Sequence, residues 1–555
     1  MRALHFAVPV SLLLGGFVAC GGDDTTPPPT GGTAGSGGAG GSAGSGTAGG
    51  SGGGGSSGAG GTGGGSGKAS VLQHHNHATR DGVYVDPAFT KDAVATMHID
   101  TTFASATYTG PVTAHPLYLA GAGSVPDLVI VGTNQNHVFA FNAATGAKVW
   151  DQAVGTPVPQ SNLAGLKPGG NCGNVNPLGV MGTPVIDGGS RTLYLDAMQL
   201  NGGTAAHMVY ALDADNGMPR SGWPVDLNAK ATARAITFNS IAQNQRGALA
   251  LVGGRVLVPF GGHIGDCGDY HGWVVSISAT DPTQVSSFAT RAIGGGIWAH
   301  GALASDGTSI YFATGNTMSA TNTFSAPGMY GDGESVFKLP PDLTVTGATT
   351  EYFVPTNWAA LDNSDADIGG TGPLPIDLPG STPSKVILQF GKDGKAYLIN
   401  RDMMGGQSAP SAIATVTSGQ RAAIITAPVV YATATATYAV IKSNAAAGCP
   451  AGQTGTLRAV KITTGAPPTM EVAWCSGAAS AGAPAVTMSN ASGTDTLVWL
   501  IGDDNKLRAH DGDTGAVVFN GGADTMASGS PFRSPIFANG RAFAASNTQI
   551  YAFRP

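Results

Sequence analysis

Ala140-Phe141-Asn142-Ala143-Ala144-Thr145-Gly146-Ala147-Lys148-Val149-Trp150 is the stretch that decides the fold. A short apolar strand ends at Asn142, Thr145-Gly146 supplies a tight turn, and the strand that follows carries a tryptophan. Weaker copies run over Ala211–Trp223, over Ala459–Trp474 with Thr464-Gly465, and over Ala509–Phe519 with Thr514-Gly515. Repetition at a steady interval is the mark of a repeat architecture, in which each unit buries its apolar face against its neighbours. The strand leading into the turn recurs as Val209-Tyr210-Ala211-Leu212-Asp213, Val274-Val275-Ser276-Ile277-Ser278, Ala396-Tyr397-Leu398-Ile399-Asn400 and Ile550-Tyr551-Ala552-Phe553-Arg554. Its middle residue falls at 140, 211, 276, 338, 398, 459, 509 and 552, a blade-sized period with long insertions early and short ones late.

Each of these strands has a partner just upstream across a polar turn, as in Lys385–Phe390 before Gly391-Lys392-Asp393-Gly394. Apolar runs broken by Asn, Asp and Gly are hairpin punctuation. A further strand precedes the hairpin and often opens on a proline: Pro116, Pro184, Pro373, Pro428, Pro484 and Pro535. A first strand residue need not donate to the ladder, so proline is tolerated there. Three strands before each Thr-Gly-type turn and one after it, eight times over, predict an all-β, eight-bladed β-propeller of four-stranded antiparallel blades. The last repeat stops at Pro555 with three strands, which would leave an open sheet edge. The segment Ala93–Phe103 is strand-like and is expected to supply the missing outer strand and close the ring.

The Ala140–Trp150 pattern resembles the tryptophan-docking repeat of pyrroloquinoline-quinone-type propellers, in which the indole packs between blades. A closer resemblance, to uncharacterised secreted bacterial proteins with such repeats, covers roughly residues 72–410. It rests on His74-His75-Asn76, Arg80-Asp81-Gly82, His115-Pro116-Leu117-Tyr118, Asn171-Cys172-Gly173-Asn174, Gly182–Asp187 and Gln243-Asn244-Gln245-Arg246. It continues through His263, Tyr270-His271-Gly272-Trp273, Gly296-Ile297-Trp298, Ala313-Thr314-Gly315-Asn316, Asp365–Gly369 and Gly391–Gly394. The resemblance implies a propeller and export, and brings no catalytic residue with it. Quinoprotein dehydrogenases share the repeat, but the vicinal Cys-Cys pair and the Cys-x-x-Cys-His haem motif typical of them do not occur in this sequence.

The first 19 residues read as an export signal: Arg2 and an apolar run from Phe6 to Ala19. That run is shorter than the ~20 residues a transmembrane helix needs. Phe17-Val18-Ala19-Cys20 resembles a lipobox, which would make Cys20 the lipidated first residue of the mature protein. Residues 20–67 are almost wholly Gly, Ser, Ala and Thr and are expected to form a flexible tether, leaving 68–555 for the propeller. With 27 Lys and Arg against 34 Asp and Glu, the net charge of −7 gives nucleic acid no basic footprint. Beyond Cys20, four cysteines allow three pairings. Cys449 and Cys475 flank one predicted hairpin and are the favoured pair, leaving Cys172 with Cys267.

Candidate chemistry lies in loops. His263, Asp266, Asp269 and His271, with His300 from the next blade, are the residue types that ligate a divalent transition metal. Asp362, Asp365 and Asp367 offer oxygens to Ca²⁺. His74, His75 and His77 form a second histidine group. Asn134, Gln245, Arg246, Trp298, Asn316, Lys392 and Asp393 sit near strand ends and are expected to line an axial pocket, where a propeller binds its ligand. The leading expectation is a monomeric, membrane-tethered scaffold or binding module for an unidentified protein or small molecule. The alternative is an exported oxidoreductase using the axial pocket with pyrroloquinoline quinone (PQQ) and Ca²⁺.

Overall fold

The computed structural model describes residues 68–318, 331–418, 423–443, 445, 447–477 and 482–555. The expected signal, Cys20 and the tether lie outside these residues. Eight four-stranded antiparallel blades follow one another along the chain. The first is Leu117–Leu119, Leu128–Gly132, His137–Asn142 and Lys148–Ala153. Six more occupy 185–226, 250–289, 304–355, 374–415, 429–476 and 485–519. The eighth takes Ile536–Ala538, Arg541–Ala545 and Ile550–Arg554 from the C-terminus and its outer strand, His98–Ile99, from the N-terminus.

The ring therefore closes as expected, although with less strand. Only His98 and Ile99 pair, opposite Arg554 and Phe553. Ala93 and Val94 belong instead to the short helix Lys91–Val94, capped by the Thr90 hydroxyl. Packing makes up for the short ladder. Phe89, Val94, Met97, Phe103 and Tyr108 enter one buried cluster with Trp499, Phe537 and Phe543 of the last two blades and Phe141 of the first.

The turn motif works as its residue types require. Trp150 is buried and its Nε1 donates to the Ala214 carbonyl, in the next blade's turn, at 3.2 Å. Gly217 of that turn has φ +76°, and a Cβ there would lie 2.7 Å from the indole, so the position excludes any side chain. Trp474 repeats the arrangement, donating to Gly512 at 3.1 Å. Both expected disulfides, Cys172–Cys267 and Cys449–Cys475, are formed. No described helix is long and apolar enough to cross a membrane.

Residues 69–86 do something the sequence pattern does not announce. Val71 bridges Tyr118 in the first strand of blade 1, and the Leu72 carbonyl accepts from Ile186 in that of blade 2. The Ala78 carbonyl accepts from Ser305 and that of Asp81 from Val430, in the first strands of blades 4 and 6. Val83–Val85 then pairs in parallel with Val486–Met488 in blade 7. One segment touching the first strands of so many blades must lie on the axis, so those strands are the inner ones. Arg80 fixes its tip, donating to the carbonyls of Leu303 (2.7 Å), Leu249 (2.8 Å) and His74 (2.8 Å).

Candidate functional site

Antiparallel blades send their connections to two faces. The turn from second to third strand and the link from each fourth strand to the next blade share one face; the first-to-second and third-to-fourth turns share the other. All the predicted pocket, metal and calcium residues fall in connections of the first kind. The axial segment enters from the opposite face, where Lys68 pairs with Asp127 and the Ala69 amide bonds Asn539. Its tip reaches the mouth side: His74 stacks on His75 at 4.2 Å and lies 4.4 Å from His115, just ahead of the first inner strand.

On the blade 3–5 side of this mouth, Trp298 is the central feature. Its ring rests on two glycines: a Cβ would fall 2.3 Å from it at Gly296 and 2.4 Å from it at Gly315. The Lys392 ammonium stands 5.5 Å from the ring centroid, within cation–π range. Lys392 pairs with Asp367 at 2.6 Å and Asp365 at 2.7 Å. Burial works against this ammonium, but the two aspartates together outweigh it and hold its proton beyond the usual lysine range. Asp367 is fully buried, and its Oδ1 also accepts from the Asn316 amide at 3.0 Å. Glu334 is buried behind it, with Oε2 accepting from Ile368 N at 2.8 Å and Oε1 without a partner among the described residues. Burial first, and then the charge of Asp367, push the Glu334 carboxyl well above its ordinary range. Asp367 is likewise raised by burial, with Lys392 pulling the other way.

Tyr270 stands beside Trp298, the ring centroids 6.2 Å apart, and the charge of Arg246 acts on Tyr270. Burial lowers the Arg246 guanidinium, with Tyr270 acting in the opposite direction. The buried Nε of Arg246 and the indole Nε1 of Trp298 have no acceptor among the described residues. This side of the mouth thus combines an indole ring, a lysine–aspartate pair and two donors without acceptors among the described residues.

Solved structures share this architecture. The quinohemoprotein alcohol dehydrogenase of Pseudomonas putida HK5 superposes with a TM-score of 0.56 at 15% identity, over 87% of this chain and 80% of its own. That of Comamonas testosteroni gives 0.56 at 14% over the same shares. A europium-containing methanol dehydrogenase gives 0.57 at 13%, over 88% and 98%. The fold is that of the quinoprotein dehydrogenases. No protein-family model and no curated protein sequence matches the chain, and identities this low establish shared architecture alone.

The remaining predicted residues divide between mouth and scaffold. Of the pocket set, Arg246, Trp298, Asn316 and Lys392 gather at the mouth, while three others serve the scaffold. Gln245 is buried and clamps Gly182 N and Gly247 O. The Asn134 amide is held by Thr113. Asp393 accepts from the Tyr397 hydroxyl at 2.5 Å inside its own hairpin. The histidine–aspartate loop is not one ligand set, because its side chains have separate partners. His263 Nε2 bonds the Ile241 carbonyl (3.1 Å), Asp266 accepts from Tyr270 (2.9 Å), His271 Nδ1 bonds Thr290 O (2.9 Å) and His300 stacks on Phe532 (4.6 Å). Asp269 only adds its charge near His271. Asp362 is likewise spent on Thr317 at 2.7 Å and Asp365 on Lys392. Among the described residues no three His, Cys, Asp or Glu side chains converge as metal ligands, so Asp362, Asp365 and Asp367 as placed do not fit Ca²⁺. By residue type the site suits a quinone: Trp298 brings an aromatic ring, Lys392 a cation beside it, and Trp298 Nε1 and Arg246 Nε are donors without acceptors among the described residues. Glu334 was missed by sequence reasoning, and its rarity is the one available signal: it is one of three glutamates in the chain.

Proposed function

We propose that the protein is an exported oxidoreductase of the quinoprotein kind, using the axial mouth to hold PQQ and to oxidise a small alcohol. The observation that carries this reading is the Lys392–Asp367 pair beside the Trp298 ring, whose indole N–H lacks an acceptor among the described residues. The bound quinone would supply the sink for two electrons and two protons. Trp298 would stack on it, and Lys392 would donate a hydrogen bond to a ring oxygen. Asp367, with its carboxyl raised by burial, would be the group that takes a hydroxyl proton, since general bases work best with pKa values lifted toward the operating pH. The axial segment would block approach from the far face, so substrate and product would pass through one mouth. We place this reading ahead of the membrane-tethered scaffold on the strength of the groups gathered around Trp298.

Export and lipid anchoring at Cys20 belong to the same proposal. They are supported by the signal-like first 19 residues and by two disulfides, which persist in oxidising compartments. Fractionation of cells and mass analysis of the N-terminus test that part. For the chemistry, the full-length protein is titrated with PQQ, following tryptophan fluorescence, and then assayed for dye reduction with small alcohols. Quenching that is lost in Trp298→Ala, and dye reduction that is lost in Asp367→Asn, are expected. Absence of both quenching and reduction in the wild type overturns the reading.

A further inference from the structure

The tip of the axial segment meets the ring through histidines. His74 packs against His75 (4.2 Å) and against His115 of the strand entry to blade 1 (4.4 Å), and all three rings are buried. Both ring nitrogens of His74, and Nε2 of His75, have no hydrogen-bond partner among the described residues. We propose that this cluster is an acid-operated catch: protonation of its imidazoles drives residues 69–86 out of the axis while the ring of blades stays closed.

The ionisable groups that act on the cluster are cationic or neutral. They are His75, His115, Arg80 and His300 around His74, and His115 and Arg80 around His75; His300 in turn feels Arg246 and His115. From the surrounding elements come three carbonyls: that of Arg80, 3.4 Å from His75 Nδ1, that of Pro428 toward His75, and that of Phe532, 3.1 Å from His115 Nε2. The segment's own carboxylates are engaged elsewhere, Asp81 with His77 at 2.8 Å and Asp86 with Gly540 N at 2.7 Å. A proton added to the closed cluster therefore enters a dry interior beside other cations, and burial holds His75 at about 3 and His115 at about 4. The same rings in water take up protons near pH 6.5. The open form binds more protons, so acid favours it. Below pH 6.5 the open-to-closed ratio rises by a factor approaching tenfold per ring for each pH unit, on the order of a thousandfold for three.

The segment is placed to leave alone. It precedes the closing strand His98–Ile99, and every blade keeps its four antiparallel strands without it. Its backbone is held by single contacts with Tyr118, Ile186, Ser305 and Val430 and by the short ladder Val83–Val85. His75, Asn76 and Arg80 have φ of 54°, 65° and 61°, left-handed conformations that cost free energy in residues other than glycine and that departure relieves. At neutral pH the three carbonyls bound by Arg80 hold the tip against that strain.

Hydrogen exchange of the full-length protein at pH 7, 6 and 5, corrected for the intrinsic effect of pH on exchange and read by mass spectrometry, tests the catch through its local opening equilibrium. Peptides covering 69–86 are expected to lose protection by at least tenfold between pH 6 and 5, while peptides covering the blade hairpin Lys385–Asn400 keep theirs. His115→Gln and His75→Gln each remove one titrating ring and should each cut that loss by up to about tenfold. Protection of 69–86 that is constant from pH 7 to 5, or that is lost in step with the blades, overturns the inference, and so does a pH slope unchanged in both variants. A variant that fails to fold shows unprotected blades already at pH 7, and the wild-type profile with the other variant then decides. No quinone is added, so the result is independent of the oxidoreductase reading.

Discussion

Two tryptophans show how far one residue type can be pushed in opposite directions. Trp150 has its indole N–H satisfied and its ring closed over by the next blade; Trp298 has its ring propped on glycines and its N–H without an acceptor among the described residues. Trp150→Ala should cost roughly 3–5 kcal/mol, the usual loss for a buried aromatic truncated to alanine, and chemical denaturation measures it directly. A loss under ~0.5 kcal/mol, the scale of an ordinary surface change, would show that the indole does not dock the blades. Lys392→Met probes the other kind of site. It strands Asp367 in the interior, and breaking a buried pair typically costs about 3–5 kcal/mol. Without the lysine, the Asp367 carboxyl must rise further above its unfolded value. A raised carboxyl favours folding below its unfolded pKa, and that advantage drains away as pH climbs through the folded pKa. The variant should therefore lose most at pH 8 and least near pH 5, read by melting temperature; a deficit independent of pH would contradict the pairing.

At the scale of elements, the hairpins and docking turns were legible because their signals are local. Gly391-Lys392-Asp393-Gly394 joins Lys385–Phe390 to Lys395–Asn400 as its punctuation predicts. Residues 69–86 were not legible, since they carry neither alternation nor turn repetition, and their partners lie up to hundreds of residues away. Of the mouth, the arginine, tryptophan, asparagine and lysine could be read from motifs at strand ends, whereas Glu334 sits inside the blade 4 pattern and has only its rarity to mark it in the sequence. The axial segment also has a titration of its own. Burial first, and neighbouring cationic groups after it, lower His74; His75 falls to about 3 and His115 to about 4. Arg80 adds positive charge nearby, while the Arg80, Pro428 and Phe532 carbonyls are acceptors facing these rings. The unfolded chain takes up these protons near pH 6.5, whereas the folded one refuses them until about pH 3–4. Stability is thus complete above pH 6.5 and falls as the solution is acidified, by on the order of 3 kcal/mol for His75 alone between pH 6.5 and 4. Melting curves across that window should slope accordingly, and more gently in His75→Gln; a flat profile would contradict the burial of these rings.

Across the whole molecule, the N-terminal 35 or so described residues join distant parts of the ring twice, once down the axis and once at the rim. The rim ladder is only His98–Ile99 against Phe553–Arg554, yet it is fixed by charge as well as packing. Asp100 is buried next to it, pairing with Arg541 at 2.6 Å and lying 3.7 Å from Arg554. Its amide donates to Ala552 at 2.8 Å, and Phe89 meets Trp499 and Phe537 edge-on. Removing residues 68–103 takes away both joins and frees the edge of Ile550–Arg554, an exposed strand of the kind that recruits other chains. The shortened protein should form concentration-dependent oligomers on size-exclusion chromatography and lose the single unfolding transition of the intact ring. Trimming residues 21–67 should change neither property, because a Gly, Ser, Ala and Thr segment has almost no apolar side chains to bury. The contrast between the two deletions isolates closure from mere shortening. A longer deletion that stays monomeric and melts in one step would falsify closure by the N-terminal strand, and would mean that the eighth blade holds its edge with three strands alone.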